Sequence, residues 1–175
     1  MIIKKQRAFT LFEILVVIAI TCFIICLSFK VVNLSDKSLI YIELERLYSC
    51  ALYLQNQSKV ESQDKYILFD EINNQYHYYN NDIKETHKLS SQISFGFLPN
   101  SKGPPSNPNS KIKKAITFNN KKIIFFKDGT VSAGIIYLID KNKTAMYALS
   151  CGISSISYLR RYKYIDISNK WLLLN

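Results

Sequence analysis

Glu13 is the only charged side chain between Ala8 and Phe29, a run of 22 residues in which Thr10, Thr21 and Ser28 are the other strongly polar members. A carboxylate inside so apolar a stretch is costly to desolvate, so it reads as functional, with an opposite charge as its partner. A second concentration of charge lies far along the chain. Residues 111–175 hold 12 Lys and Arg against 3 Asp and Glu. Lys111, Lys113, Lys114, Lys121, Lys122, Arg160, Arg161 and Lys163 could form one basic face, with Tyr158, Tyr162 and Tyr164 interleaved. Such a face suits contact with a phosphate backbone without base readout.

Other chemistry has little to work with. His77 and His87 have no metal-ligand spacing with each other or with cysteine, and the block Gln75–Tyr79 makes His77 a strand residue. Asp64, Asp70, Glu71, Asp82 and Glu85 do not follow the calcium-loop pattern. No nucleophile elbow, phosphate-binding loop or dinucleotide fingerprint occurs, so neither catalytic activity nor a metal or other cofactor is expected. Cys22 and Cys26 lie one turn apart in the apolar run and read as small apolar fillers. Cys50 and Cys151 leave two readings open, a bridge pinning a helix to a sheet or two separate thiols.

The whole chain sets the frame for these groups. Its 175 residues suit one ordinary domain plus an extra element. A hydrophobic share of 48% with only 5 Gly and 4 Pro excludes a disordered or collagen-like chain, and 4 Cys are too few for a disulfide scaffold. The net charge of +10 rests on 19 Lys and only 4 Arg. Planar, bidentate recognition of phosphate or guanine favours Arg, so the charge alone is a weak pointer to nucleic acid.

The apolar run would make about 33 Å of helix, enough to span a hydrocarbon core. Lys4, Lys5 and Arg7 precede it with no acid among residues 1–8, which predicts an N-in orientation. A secretory signal would need a small-residue cleavage site after the run, where Cys26-Leu27-Ser28-Phe29-Lys30 stands instead. A lipoprotein signal would need a small residue before its cysteine, but Thr21 precedes Cys22 and Ile25 precedes Cys26. A plain anchor leaves Glu13 unexplained.

Lys4-Lys5-Gln6-Arg7-Ala8 followed by Phe9-Thr10-Leu11-Phe12-Glu13-Ile14-Leu15-Val16-Val17 resembles the type IV prepilin signal. The resemblance implies cleavage by a prepilin peptidase between Ala8 and Phe9, and methylation of the new N-terminus at Phe9. Ala8 stands where the family usually has Gly. It also implies that Glu13 pairs with the N-terminal amine of a neighbouring subunit and so sets register in a filament.

Beyond Lys30 no Gly or Pro occurs before Gly96, so nothing ends the helix at the membrane boundary. Ile40, Leu44, Leu47, Ala51 and Leu54 recur at i, i+4, i+7, i+11 and i+14, one narrow face. This predicts a single helix from about Phe9 to Ser58, its second half packed on a globular head. Strands are predicted at 65–69 and 75–79 as a hairpin around Asn73-Asn74. Others follow at 94–98, 115–118, 123–126, 131–139, 144–150 and 153–159. All four prolines fall within 99–110, which predicts a flexible loop. Asp128-Gly129 is the strongest turn signal. The expected organisation is a leader at 1–8, a transmembrane half-helix at 9–29, an amphipathic half at 30–58 and a β-rich head at 59–175. The fold class is α+β, a long N-terminal helix on an antiparallel sheet head or small sandwich.

Ile123-Ile124-Phe125-Phe126-Lys127-Asp128-Gly129-Thr130, followed by Gly134-Ile135-Ile136-Tyr137-Leu138, is similar to the heads of general secretion pathway protein H and FimT-like minor pilins. Tyr158-Leu159-Arg160-Arg161 stands where that family usually carries Gly-Arg. The resemblance implies a minor pseudopilin of a type II secretion system, a non-catalytic subunit that primes or tips a periplasmic pseudopilus. A type IV minor pilin for DNA uptake, using the basic face, is the alternative. Implied partners are other pilins or pseudopilins, prepilin peptidase, the inner-membrane assembly platform, membrane lipid and, in the alternative, DNA. The implied location is the inner membrane, single-pass, with the head in the periplasm.

Overall fold

The computed structural model describes residues 11–33, 35–80, 83–104, 106, 107, 109–152 and 158–174, with side chains omitted at 26–37. Among the described residues two helices, α1 (Leu11–Asn33) and α2 (Ser35–Glu61), precede nine strands. The single helix expected from Phe9 to Ser58 is thus seen as these two segments. Phe9 and the join at residue 34 lie outside the described residues. The chain divides into two compact units, Met1–Ser35 and Asp36–Asn175.

In the second unit, α2 buries the stripe that its spacing predicts. Ile40, Leu44, Leu47, Ala51 and Leu54 are all fully buried, and Ser58 continues the same face one turn on. Arg46, Ser49 and Asn56 stay exposed on the other side. The stripe is covered by two antiparallel sheets. The first has the order β3-β2-β1-β5, with β1 (Lys65–Asp70), β2 (Gln75–Asn80), β3 (Ile83–Lys88) and β5 (Lys122–Phe125). The second has the order β4-β6-β7-β8-β9, with β4 (Ile93–Phe95), β6 (Gly134–Asp140), β7 (Met146–Gly152), β8 (Tyr158–Ile165) and β9 (Lys170–Leu174). The α+β class and the packing of helix on antiparallel sheet follow the expectation.

Strand alternation decides what each face meets. Ile67, Phe69, Tyr76, Ile123 and Phe125 of the first sheet share one core with α2, and Ile136, Leu138, Leu149 and Cys151 of the second sheet join it. The intervening residues of β6 and β7, among them Ile135, Tyr137, Met146 and Ala148, form a second core on the opposite face. Burial on both faces explains why these two strands read as nearly unbroken apolar runs.

The second core is roofed by the proline-rich segment. Leu98 and Ile112 pack into it. The indole N–H of Trp171 donates to the Lys102 carbonyl at 2.9 Å, and the Lys102 N–H donates to the Tyr164 hydroxyl at 3.2 Å. Gly103 N–H donates to Ser110 O, and Ile112 N–H to Ser101 O, closing the segment on itself. The loop expected to be flexible at 99–110 is therefore tied to the sheet among its described residues.

Two strands were not predicted, β3 and β9. Both are edge strands, and β3 (Ile-Lys-Glu-Thr-His-Lys) has too little apolar content to signal itself. Asp128-Gly129 turns as expected. Gly129 has φ +84°, the Thr130 N–H donates to the Asp128 carboxylate at 2.8 Å, and the Gln55 amide of α2 donates to Gly129 O at 2.9 Å. A Cβ at Gly129 would meet both a strained backbone and the Lys59 side chain, so the turn seats directly on α2.

Candidate functional site

The first candidate site is the start of α1. Glu13 lies in the first described turn of this helix. Around it the apolar side chains face outward: Leu11 is 80% exposed, Phe12 73% and Leu15 57%. Exposure extends around the whole helix, from Val16 and Val17 through Ile20 to Phe23 and Ile25. An α-helix that is apolar all round has no hydrophobic core to face and calls for an apolar environment from outside. Its polar groups are withdrawn accordingly. The Thr21 hydroxyl hydrogen-bonds to the Val17 and Ile18 carbonyls at 3.0 and 2.9 Å, as hydroxyls in apolar helices do. Among the described residues no helix is long and apolar enough to cross a membrane. The described side chains run only from Leu11 to Ile25, about 22 Å of helix against a core of about 30 Å. Ala8 and Phe9, the implied cleavage and methylation positions, lie outside the described residues, as does the leader at 1–8.

Residues 3–25 match the family described as the prokaryotic N-terminal methylation motif. The chain carries the N-terminal signature of type IV pilin-like proteins. The match spans Lys4, Lys5, Arg7, Ala8, Phe9, Glu13 and most of the apolar run. No curated protein sequence matches the chain. Two solved structures of the minor pseudopilin EpsH from the type 2 secretion system of Vibrio cholerae are similar to it. One is 11% identical with TM-score 0.48, covering 68% of this chain and 94% of that chain. The other is 12% identical with TM-score 0.43, covering 78% and 96%. A likeness this distant leaves the function of the chain to its own motif and geometry.

The second candidate site, the basic face, is divided by the fold. Arg161 does not face solvent with the others. It is ion-paired with Glu45 of α2, its guanidinium stacks 4.3 Å from the Tyr48 ring, and its side chain is only 13% exposed. Arg160 points to the other side of β8 and stacks on Tyr158 at 4.4 Å. Lys163 lies near the Tyr147 ring, on the same strand face as Arg161. Lys122 is held 3.6 Å above the Tyr66 ring on the first sheet. The remaining four do gather. Lys113, Lys114 and Lys121 line one surface pocket of about 550 Å³, and Lys111 lines an adjoining one of about 250 Å³ with Lys113 and Lys114. Lys121 is ion-paired with Glu71 at the rim.

Two of the three tyrosines named as interleaved are also drawn inward. Tyr164 is buried, and both it and Tyr162 pack on Trp171 in the second core. Glu45, Tyr48, Tyr66 and Glu71, which redistribute the basic residues, carried no signal in the sequence. Glu45 and Arg161 meet only because β8 crosses α2.

Cys50 and Cys151 are free thiols, so the bridge is not formed. Cys50 lies beside Tyr78 of the first sheet, and burial pushes its thiol up to about 12. Cys151 sits in β7, flanked by Gly134 and Leu159 of the second sheet, where burial raises its pKa further. Burial thus disfavours the thiolate at both positions.

The histidines do structural work. The His77 ring bonds to the Thr86 hydroxyl across the β2–β3 pair at 2.8 Å. His87 lies 3.0 Å from the buried Glu43 carboxylate, which also accepts from the Ser90 N–H at 3.3 Å. This ties α2 to the edge strand β3. No group of three or more metal-binding side chains occurs among the described residues.

Proposed function

We propose that this chain is a minor pseudopilin of a type II secretion system, a non-catalytic subunit that primes or tips a periplasmic pseudopilus. The observation that carries this reading is the methylation motif over residues 3–25, continued by a helix whose apolar side chains have no core of their own. In this reading prepilin peptidase cuts between Ala8 and Phe9, and Phe9 is methylated. Residues 9–29 anchor the chain N-in in the inner membrane until the assembly platform extracts it. The new amine at Phe9 then pairs with Glu13 of a neighbouring subunit. In a low-dielectric helix bundle that pair offsets the desolvation of both charges and fixes the axial register. The head, residues 59–175, stays on the periplasmic side.

A minor pilin for DNA uptake would share the same N-terminus. The separation of Lys122, of Arg160, and of Arg161 with Lys163 onto different faces supports the secretion reading over it.

The test uses the full chain in its native host. Intact-mass analysis is expected to find a mature N-terminus at methylated Phe9. Glu13→Ala is expected to leave membrane insertion intact and to abolish cross-linking to other pilin-like subunits. Incorporation of Glu13→Ala at the level of the unaltered chain overturns the pairing, and an unprocessed Met1 in the assembled fraction overturns the reading as a whole.

A further inference from the structure

Lys113, Lys114 and Lys121 surround a pocket whose construction is more specific than a charged surface. Its floor is apolar, formed by Phe97, Ile116 and Phe118, and its far rim is the β1–β2 turn, which contributes Glu71. Lys113 and Lys114 are exposed. Lys121 is the one cation of the three held by a carboxylate, so the pocket keeps a local excess of positive charge.

The backbone at the pocket is an unfinished sheet edge. Residues 115–117 run antiparallel to the first half of β6: Thr117 N–H donates to Ile135 O at 3.0 Å, and Tyr137 N–H donates to Ala115 O at 2.9 Å. Ile116 lies opposite Ile136 between those two bonds. In an antiparallel pair, a residue in that position turns its own N–H and C=O away from the partner strand. Ile116 therefore presents both groups on the side away from β6, where it lines the pocket.

The neighbouring stretch of the same edge is β4, which pairs with the second half of β6. There the fold has closed the edge. The Asn74 side chain donates to Ile93 O and accepts from Phe95 N–H, occupying the main-chain groups of β4. The contrast between a capped β4 and an edge opening beside three lysines is local and specific.

We propose that this pocket binds an extended acidic segment of a partner protein, which adds a short strand alongside Ile116 and sets its carboxylates against Lys113 and Lys114. Main-chain bonding gives the segment its direction, and the lysines select for acidic side chains. A surface pocket of about 550 Å³ admits a few peptide residues. This inference is independent of filament assembly, since it concerns the head alone.

The full chain in detergent micelles is titrated with a fluorescent heptapeptide that alternates acidic residues with valine. Controls are its Asn/Gln counterpart, a version N-methylated at the central residue, and an oligothymidylate carrying the same dye. The acidic peptide is expected to bind saturably at low salt, and both peptide controls are expected to bind about tenfold more weakly or worse. The double variant Lys113→Glu, Lys114→Glu is expected to lose about tenfold, while Lys143→Glu on the distant β6–β7 turn leaves binding unchanged. Both sets of substitutions are at exposed positions, and a circular-dichroism melt checks that the head stays folded. Equal binding of the N-methylated peptide overturns the strand addition. Absence of acidic-peptide binding, indifference to the double variant, or oligothymidylate binding in its place overturns the site.

Discussion

The two helices of this chain solve the same problem in opposite ways. α1 is apolar on every side and exposes those side chains, whereas α2 buries one apolar stripe completely, Ile40, Leu44, Leu47, Ala51 and Leu54. α2 finds its partner within the chain, in the inner faces of two sheets. α1 finds none among the described residues of its own unit, so its apolar surface calls for an apolar environment from outside. In the proposed reading, stability and assembly are thus assigned to different stretches, and substitutions should separate them.

The largest effect is expected at Leu44. Leu44→Ala leaves a cavity between α2 and both sheets and should cost about 2–5 kcal/mol of head stability, read as a drop in the urea midpoint. Leu15→Ala in α1 should leave that midpoint unchanged while weakening assembly. Equal destabilisation by the two would erase the distinction between the helices.

A smaller effect is expected at Arg161. Arg161→Ala removes the partner of Glu45 and the ring contact with Tyr48, and should lower head stability by about 1–2 kcal/mol. If the same change instead weakened oligonucleotide binding at constant stability, the placing of Arg161 with α2 would fail.

The smallest effect is electrostatic, at Asp70. Its carboxylate accepts from the Asn73 side chain at 2.7 Å, from the Asn73 N–H at 3.0 Å, and from Gln75 and the Ile72 N–H, and these bonds lower its pKa to about 2. A carboxyl held below its unfolded value of about 3.9 contributes stability above that value. That contribution is lost as pH falls from about 4 towards 2. Asp70→Asn should flatten this part of the pH–stability curve, and an unchanged acid limb would remove the turn's role.

How much of this was legible beforehand differs by kind of information. The stripe of α2, the hairpin at Asn73-Asn74 and the Asp128-Gly129 turn are local patterns, written in spacing and in residues that tolerate special backbone angles. The edge strands β3 and β9 were not legible, because an edge strand needs neither strict alternation nor a strong apolar signal. The tethering of 99–110 was hidden for another reason. Proline-rich composition describes the local chain, whereas Trp171 and Tyr164, which hold the loop, lie some 60–70 residues away in sequence.

By itself the sequence determined the N-terminal motif of this protein: Lys4, Lys5 and Arg7, then Ala8 and Phe9, and Glu13 inside a long apolar run. Those properties are contiguous, and contiguous patterns survive without a fold. Only the tertiary structure decided the fate of the basic residues. Charge listed along a chain carries no direction in space. The crossing of β8 over α2 withdraws Arg161 from solvent, β5 places Lys122 over Tyr66, and the 113–121 segment is left to gather its lysines around an open strand edge.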